Sequence, residues 1–168
     1  LDAVKWKFLI KKEEDVSLWL SLKAVFLGIT VSIFTPNRVG EFGGRVFCLE
    51  KADRIKAVLI TILGNMGQLL ATTIFGTLAF VHYVQAYSGF LDEEATYWFF
   101  ILIFIAAIVV TTLIALYLNA SWLSIFFMKF KFLRKYEEFS DVFSYYSITE
   151  LLYVIFLSCA RYVVFSYQ

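Results

Sequence analysis

Thr96 to Leu118 runs without a single charged residue and is dense in β-branched and aromatic side chains. About 20 such residues are what an α-helix needs to cross the hydrocarbon core of a bilayer. Two further runs, Val16 to Phe34 and Ala57 to Tyr83, and a fourth that opens at Ile148 and continues to Gln168, carry the same signal. In lipid every backbone polar group must be satisfied inside its own segment, so each run is expected to be helical. The expected fold is therefore all-α, a polytopic transmembrane helical bundle forming a single module over 1–168. Composition agrees with it: 61% of the residues are hydrophobic, against roughly 45–50% in soluble domains. The chain starts at Leu1 and stops at Gln168 within an apolar run, and is read as an excerpt of a longer membrane domain.

Charge is distributed more tellingly than it is summed. A formal net charge of +1 excludes a generally basic nucleic-acid binder. Between the first two runs lies a polar insert, 35–56, with the only proline (Pro36), three glycines and five basic residues. Pro36 should end the preceding helix, because it disfavours helical backbone at Thr35 and has no N–H to donate. The segment 119–147 interleaves Trp122, Phe126, Phe127, Phe130 and Phe132 with Lys129, Lys131, Arg134 and Lys135, a pattern suited to the interface of an anionic membrane. Gln85 to Ala95 holds Asp92, Glu93 and Glu94 but no Lys or Arg. Positive residues stay on the cytoplasmic side, so the insert and the connector are expected inside and the acidic loop outside. A complete crossing by Val16 to Phe34 would then leave four lysines of the opening stretch outside. That conflict disappears if the first segment or the insert is re-entrant, since irregular backbone is allowed at membrane depth where it lines a cavity.

Polar residues inside the apolar runs are the candidates for function. Lys23 in the first run must snorkel, pair or face water. In the second, Thr61, Gly64 or Asn65, Gln68, Thr72 and Gly76 fall on one helical stripe, expected to face inward and let another backbone approach. Glu150 and Arg161 are about three turns apart in the last run and fit one face. Against this stands a simpler reading of the insert, in which Arg38 with Glu41, or Glu41 with Arg45, is a surface ion pair at helical spacing. Lys51, Arg54 and Lys56 read as topology-setting charges, His82 as interfacial, and Cys48 and Cys159 as packing residues.

Pro36-Asn37-Arg38-Val39-Gly40-Glu41, with Arg45 and the helix bearing Gly64-Asn65-Met66-Gly67-Gln68, resembles the flippase-like transmembrane family of lysylphosphatidylglycerol synthases. Ser158-Cys159-Ala160-Arg161 is similar to that family's Ser-x-x-Arg element in a later helix. The resemblance implies a membrane unit that binds or translocates a phospholipid or related lipid, here without a soluble aminoacyl-transferase domain, in the bacterial cytoplasmic membrane. It points to Arg38, Glu41, Arg45 and Arg161 at the lipid head group, with Pro36, Gly40, Asn65, Gln68, Lys23 and Glu150 in support. Arginines suit this task because their planar, permanently charged forks match phosphate.

The partners expected are membrane lipids, anionic phospholipid first, and not nucleic acid; a second copy or partner helices remain open. No cofactor or metal is expected: there is one His, no Cys pair at ligand spacing, no phosphate-binding glycine loop and no nucleophile elbow. Two other classes compete with lipid translocation. One is a membrane transferase using a polyprenyl-phosphate-linked donor, with acids drawn from Glu41, Asp53, Asp92, Glu93 and Glu94. The other is a non-catalytic scaffold whose Gly64 to Gln68 stripe binds a neighbouring helix.

Overall fold

Helix boundaries follow local capping chemistry. Ser17 opens one helix by accepting the Leu20 N–H at 3.1 Å, and Asp53 opens another through the Ile55 N–H at 2.9 Å. Ser147 and Glu150 form a reciprocal capping box, each side chain accepting the other residue's N–H. A computed structural model describes residues 1–36, 39–87, 93–119, 142 and 145–167. Among these residues it contains no strand and six helices: α1 Asp2–Ile10, α2 Leu18–Ile33, α3 Gly40–Val46, α4 Arg54–Tyr87, α5 Glu93–Leu118 and α6 Ile148–Ser166. The fold is an all-α helical bundle.

Three helices are long and apolar enough to cross a membrane: 54–86, 97–118 and 148–166. They correspond to three of the four expected runs, with α4 extending beyond 57–83 at both ends. The first run differs. Cut by the Ser17 cap and by Pro36, α2 has 16 residues, about 24 Å of helix at 1.5 Å per residue. That is short of the roughly 30 Å hydrocarbon core.

The insert is no simple loop. Its first part folds into α3, which returns antiparallel along α2: Gly40 lies against Val31 and Thr35, and Gly44 against Leu27 and Gly28. The opening stretch, expected at an interface, is a helix packed into the centre. There α1 contacts α2, α4 and α6, and buries Ala3, Lys5, Trp6, Leu9 and Ile10. Trp6 joins Leu9, Ile60, Leu63, Leu151 and Val154 in one apolar core. By contrast α5 is unburied along most of its span, apart from Tyr117 near its end, with Phe100 and Phe104 pointing outward as lipid-facing side chains do.

The expected inward stripe of α4 holds over its first half only. A Cβ on Gly64 would sit 3.0 Å from Leu9 of α1, and one on Gly67 would sit 3.1 Å from both Tyr117 of α5 and Val154 of α6. The two glycines therefore mark where three helices meet α4. Farther along, Thr72 is exposed and Gly76 has nothing within 4 Å of its would-be Cβ. The connector falls largely outside the described residues, as do Asn37 and Arg38 of the insert and Asp92 of the acidic loop.

Candidate functional site

The turn between α2 and α3 explains the residue types in the Pro-x-Arg-x-Gly-Glu element. Pro36 is exposed at the bend, past the end of α2. Thr35 Oγ1 then accepts the Gly40 N–H at 2.8 Å. A Cβ on Gly40 would meet Thr35 Oγ1 at 2.6 Å and the Val31 carbonyl at 2.7 Å, so only glycine fits this approach. One turn on, Glu41 and Arg45 form an i,i+4 ion pair, with Arg45 Nη2 to Glu41 Oε1 at 2.5 Å. The pair is not on the surface: the Arg45 side chain is 4% exposed and that of Glu41 15%. Arg45 threads past the helix crossing at Gly28, and its Nε is buried with no hydrogen-bond partner.

Arg45 and Glu41 form one wall of a cavity of about 590 Å³. Asn65 and Gln68 of α4 form another, and Asp2, Ile29, Arg161, Tyr162 and Phe165 complete the lining. Arg161 donates to Asp2 Oδ2 at 2.9 Å and to Gln68 Oε1 at 3.4 Å. Its guanidinium also lies 5.5 Å from the Phe165 ring. Tyr162 is fixed by stacking on Phe75 of α4, with ring centroids 4.7 Å apart.

Behind Asp2 stands Lys5, whose ammonium lies 3.3 Å from the same carboxylate and donates to Ser158 Oγ at 3.4 Å. At formal charge, the three cations Lys5, Arg45 and Arg161 face the two carboxylates Asp2 and Glu41. Arg45 and Glu41 balance each other, whereas the Lys5, Asp2 and Arg161 cluster carries one positive charge more than it neutralises. A surplus charge in a partly desolvated cavity is costly unless an anion completes it.

The structure thus brings together Glu41 and Arg45 of α3, Asn65 and Gln68 of α4 and Arg161 of α6, with Gly40 and Pro36 shaping the turn that presents the α3 pair. Arg38 lies outside the described residues. Lys23 and Glu150 sit elsewhere. The Lys23 ammonium lies 5.6 Å from the Trp19 ring on an exposed face of α2, while Glu150 caps α6 and binds Lys12 at 2.7 Å. Asp2 and Lys5 were not among the expected site residues. Their signal was their spacing of three, which puts Asp2 and Lys5 on the same helical face as Trp6 and Leu9 and so turns both toward the core.

Outside the cavity, Glu14 accepts the N–H groups of Lys51 and Ala52, each at 2.9 Å, and so ties the turn after α1 to the segment before α4. Burial pushes this carboxyl upward, but the backbone donors of Lys51, Ala52 and Glu50, with the Lys51 charge, outweigh it and hold the group below its ordinary value. Among the described residues, no three His, Cys, Asp or Glu side chains are placed to hold a metal ion.

A bundle with three bilayer-length apolar helices, enclosing a charged cavity behind a short helical hairpin, defines a polytopic membrane protein with a polar internal site. The chain belongs to the lysylphosphatidylglycerol synthase TM region family, whose profile matches residues 1–165. No curated protein and no solved structure matches it.

Proposed function

We propose that the cavity receives the phosphate head group of an anionic phospholipid, and that the chain carries this lipid between leaflets of a bacterial cytoplasmic membrane. The observation that carries the reading is Arg45: a guanidinium more than nine-tenths buried, lining a cavity beside the net-positive cluster of Lys5, Asp2 and Arg161, with Nε unpaired. Leaving a buried donor unsatisfied costs about 1–3 kcal/mol, and a phosphodiester oxygen is the acceptor that would recover it. A phosphodiester carries one negative charge, which matches the surplus. In this mechanism Arg45 and Arg161 contact the phosphate, Glu41 orients Arg45, and Asn65 and Gln68 offer amides to the head group beyond. Arg38 is expected to contribute a further positive charge to head-group binding. Arg161, with a side chain 31% exposed, is free to turn from Asp2 to the phosphate, whereas Lys5 stays to compensate Asp2.

The test is transbilayer movement of a head-group-labelled phosphatidylglycerol in vesicles containing the full-length protein. Arg45→Ala, Glu41→Ala and Arg161→Ala should each slow it strongly, while Lys51→Ala, which removes an exposed charge, leaves it unchanged. Equal transport by all four variants and the parent would remove the assignment.

A further inference from the structure

The polar cavity has an apolar neighbour. A cleft of about 280 Å³ lies between α1, α2 and α6, and it shares Asp2, Ile29, Arg161 and Phe165 with the cavity. Beyond that shared wall its surface changes character: Leu22 and Val25 of α2 and Val164 of α6 replace the amides and charges. Leu22 and Val164 are 36% and 51% exposed, so the cleft opens on the outer, apolar flank of the bundle. Its one polar element is the Asp2 to Arg161 ion pair at the junction.

We infer that this cleft seats an acyl chain of the same lipid whose head group occupies the cavity, with the Asp2 to Arg161 pair marking the boundary between polar and apolar halves of the bound molecule. The inference rests on the head-group reading above and adds where the tail goes. Three features select this occupant. The cleft and the cavity are continuous through four common residues, so one molecule can fill both. The surface passes from charged and amide groups in the cavity, through the shared ion pair, to hydrocarbon in the cleft, as a glycerophospholipid passes from head group to acyl chain. Finally, the open flank lets a tail remain in lipid while its head group is inside, so the molecule never has to leave the membrane to enter the site. A water-soluble anion would need only the cavity, and a partner helix would leave the cavity unused.

Two photoactivatable phosphatidylglycerols test this, one carrying a diazirine on the head group and one on an acyl chain, each present in trace amount in phosphatidylcholine vesicles with the full-length protein. Adducts are mapped by peptide mass spectrometry, with and without excess unlabelled phosphatidylglycerol. The head-group probe should label residues 41–45 and 65–68. The tail probe should label Leu22, Val25 and Val164, and excess unlabelled lipid should abolish those adducts while sparing labelling of Phe104 on the exposed face of α5. Val164→Trp, a change at an exposed position, should remove tail adducts on α2 without touching those on Phe104. Tail adducts at the cleft that resist competition as Phe104 does, with head-group labelling intact, would overturn the inference and leave the head-group reading standing. Absence of competed head-group adducts at 41–45 and 65–68 would overturn both.

Discussion

Gly44→Ala isolates the helix crossing on which the position of Arg45 depends. The added Cβ would lie 2.7 Å from Gly28 Cα, 2.8 Å from Gly28 N and 2.9 Å from the Leu27 carbonyl oxygen. All three are backbone atoms, so no rotamer change relieves the overlap. Carbon atoms settle at about 3.5–4.0 Å, and α3 must therefore back away from α2 by on the order of 1 Å. Overpacking of this kind costs about 1–3 kcal/mol, and for a chain of this size each kcal/mol corresponds to about 2–4 °C in Tm. The neighbouring residue supplies the control. A Cβ on Gly43 meets only the Phe47 ring edge, at 3.8 Å, so Gly43→Ala fits and gains up to about 1 kcal/mol of helix propensity. Thermal melting of the purified protein in detergent should place Gly44→Ala below the parent and Gly43→Ala at or above it. Binding of phosphatidylglycerol should fall in Gly44→Ala alone, because only there does Arg45 shift. If Gly44→Ala melts with Gly43→Ala, the close seating of α3 on α2 is refuted.

Asp2→Asn leaves the Lys5 ammonium, 3% exposed, without its carboxylate; the expected loss is on the order of 3 kcal/mol, read by denaturant titration, and Lys5→Met in the same chain should recover much of it. Ser147→Ala deletes half of the α6 capping box and should cost about 1 kcal/mol, seen as a lower melting midpoint. Glu14 has its folded-state pKa depressed, so its contribution is complete above the ordinary carboxyl value of 4.5 and is lost as pH falls through the lower folded value. Parent protein melted across that acid range should therefore lose more stability than Glu14→Gln, whereas parallel curves would show that the two backbone bonds do not couple to titration.

Much of the fold was legible because hydrocarbon demands a simple pattern. Helix α5 could be read from its lack of charge alone, and α6 from the apolar run that opens at Ile148. Helix α4 proved longer than its apolar core because its polar ends, from Arg54 onward and out to Tyr87, continue the helix where neither Gly nor Pro interrupts. The length of α2 was harder: Val16 and Phe34 are as apolar as their neighbours, and the helix stops where a serine cap and Pro36 set it. Lys23 and Glu150 were drawn toward the site by charge within apolar sequence, yet rotation about α2 and the reach of Lys12 place them elsewhere. Such facts depend on tertiary neighbours, which spacing along one segment does not contain. The same holds for Asp2, whose two cationic partners lie 3 and 159 residues away.

The account turns on whether a lipid phosphate sits between Arg45 and Arg161. A cryo-electron microscopy structure of the full-length protein in phosphatidylglycerol nanodiscs tests this directly. It should show phosphate density in the cavity, with an oxygen within hydrogen-bond distance of Arg45 Nε and of the Arg161 guanidinium. A well-ordered cavity holding only water, with phospholipid confined to the outer apolar belt, would contradict it.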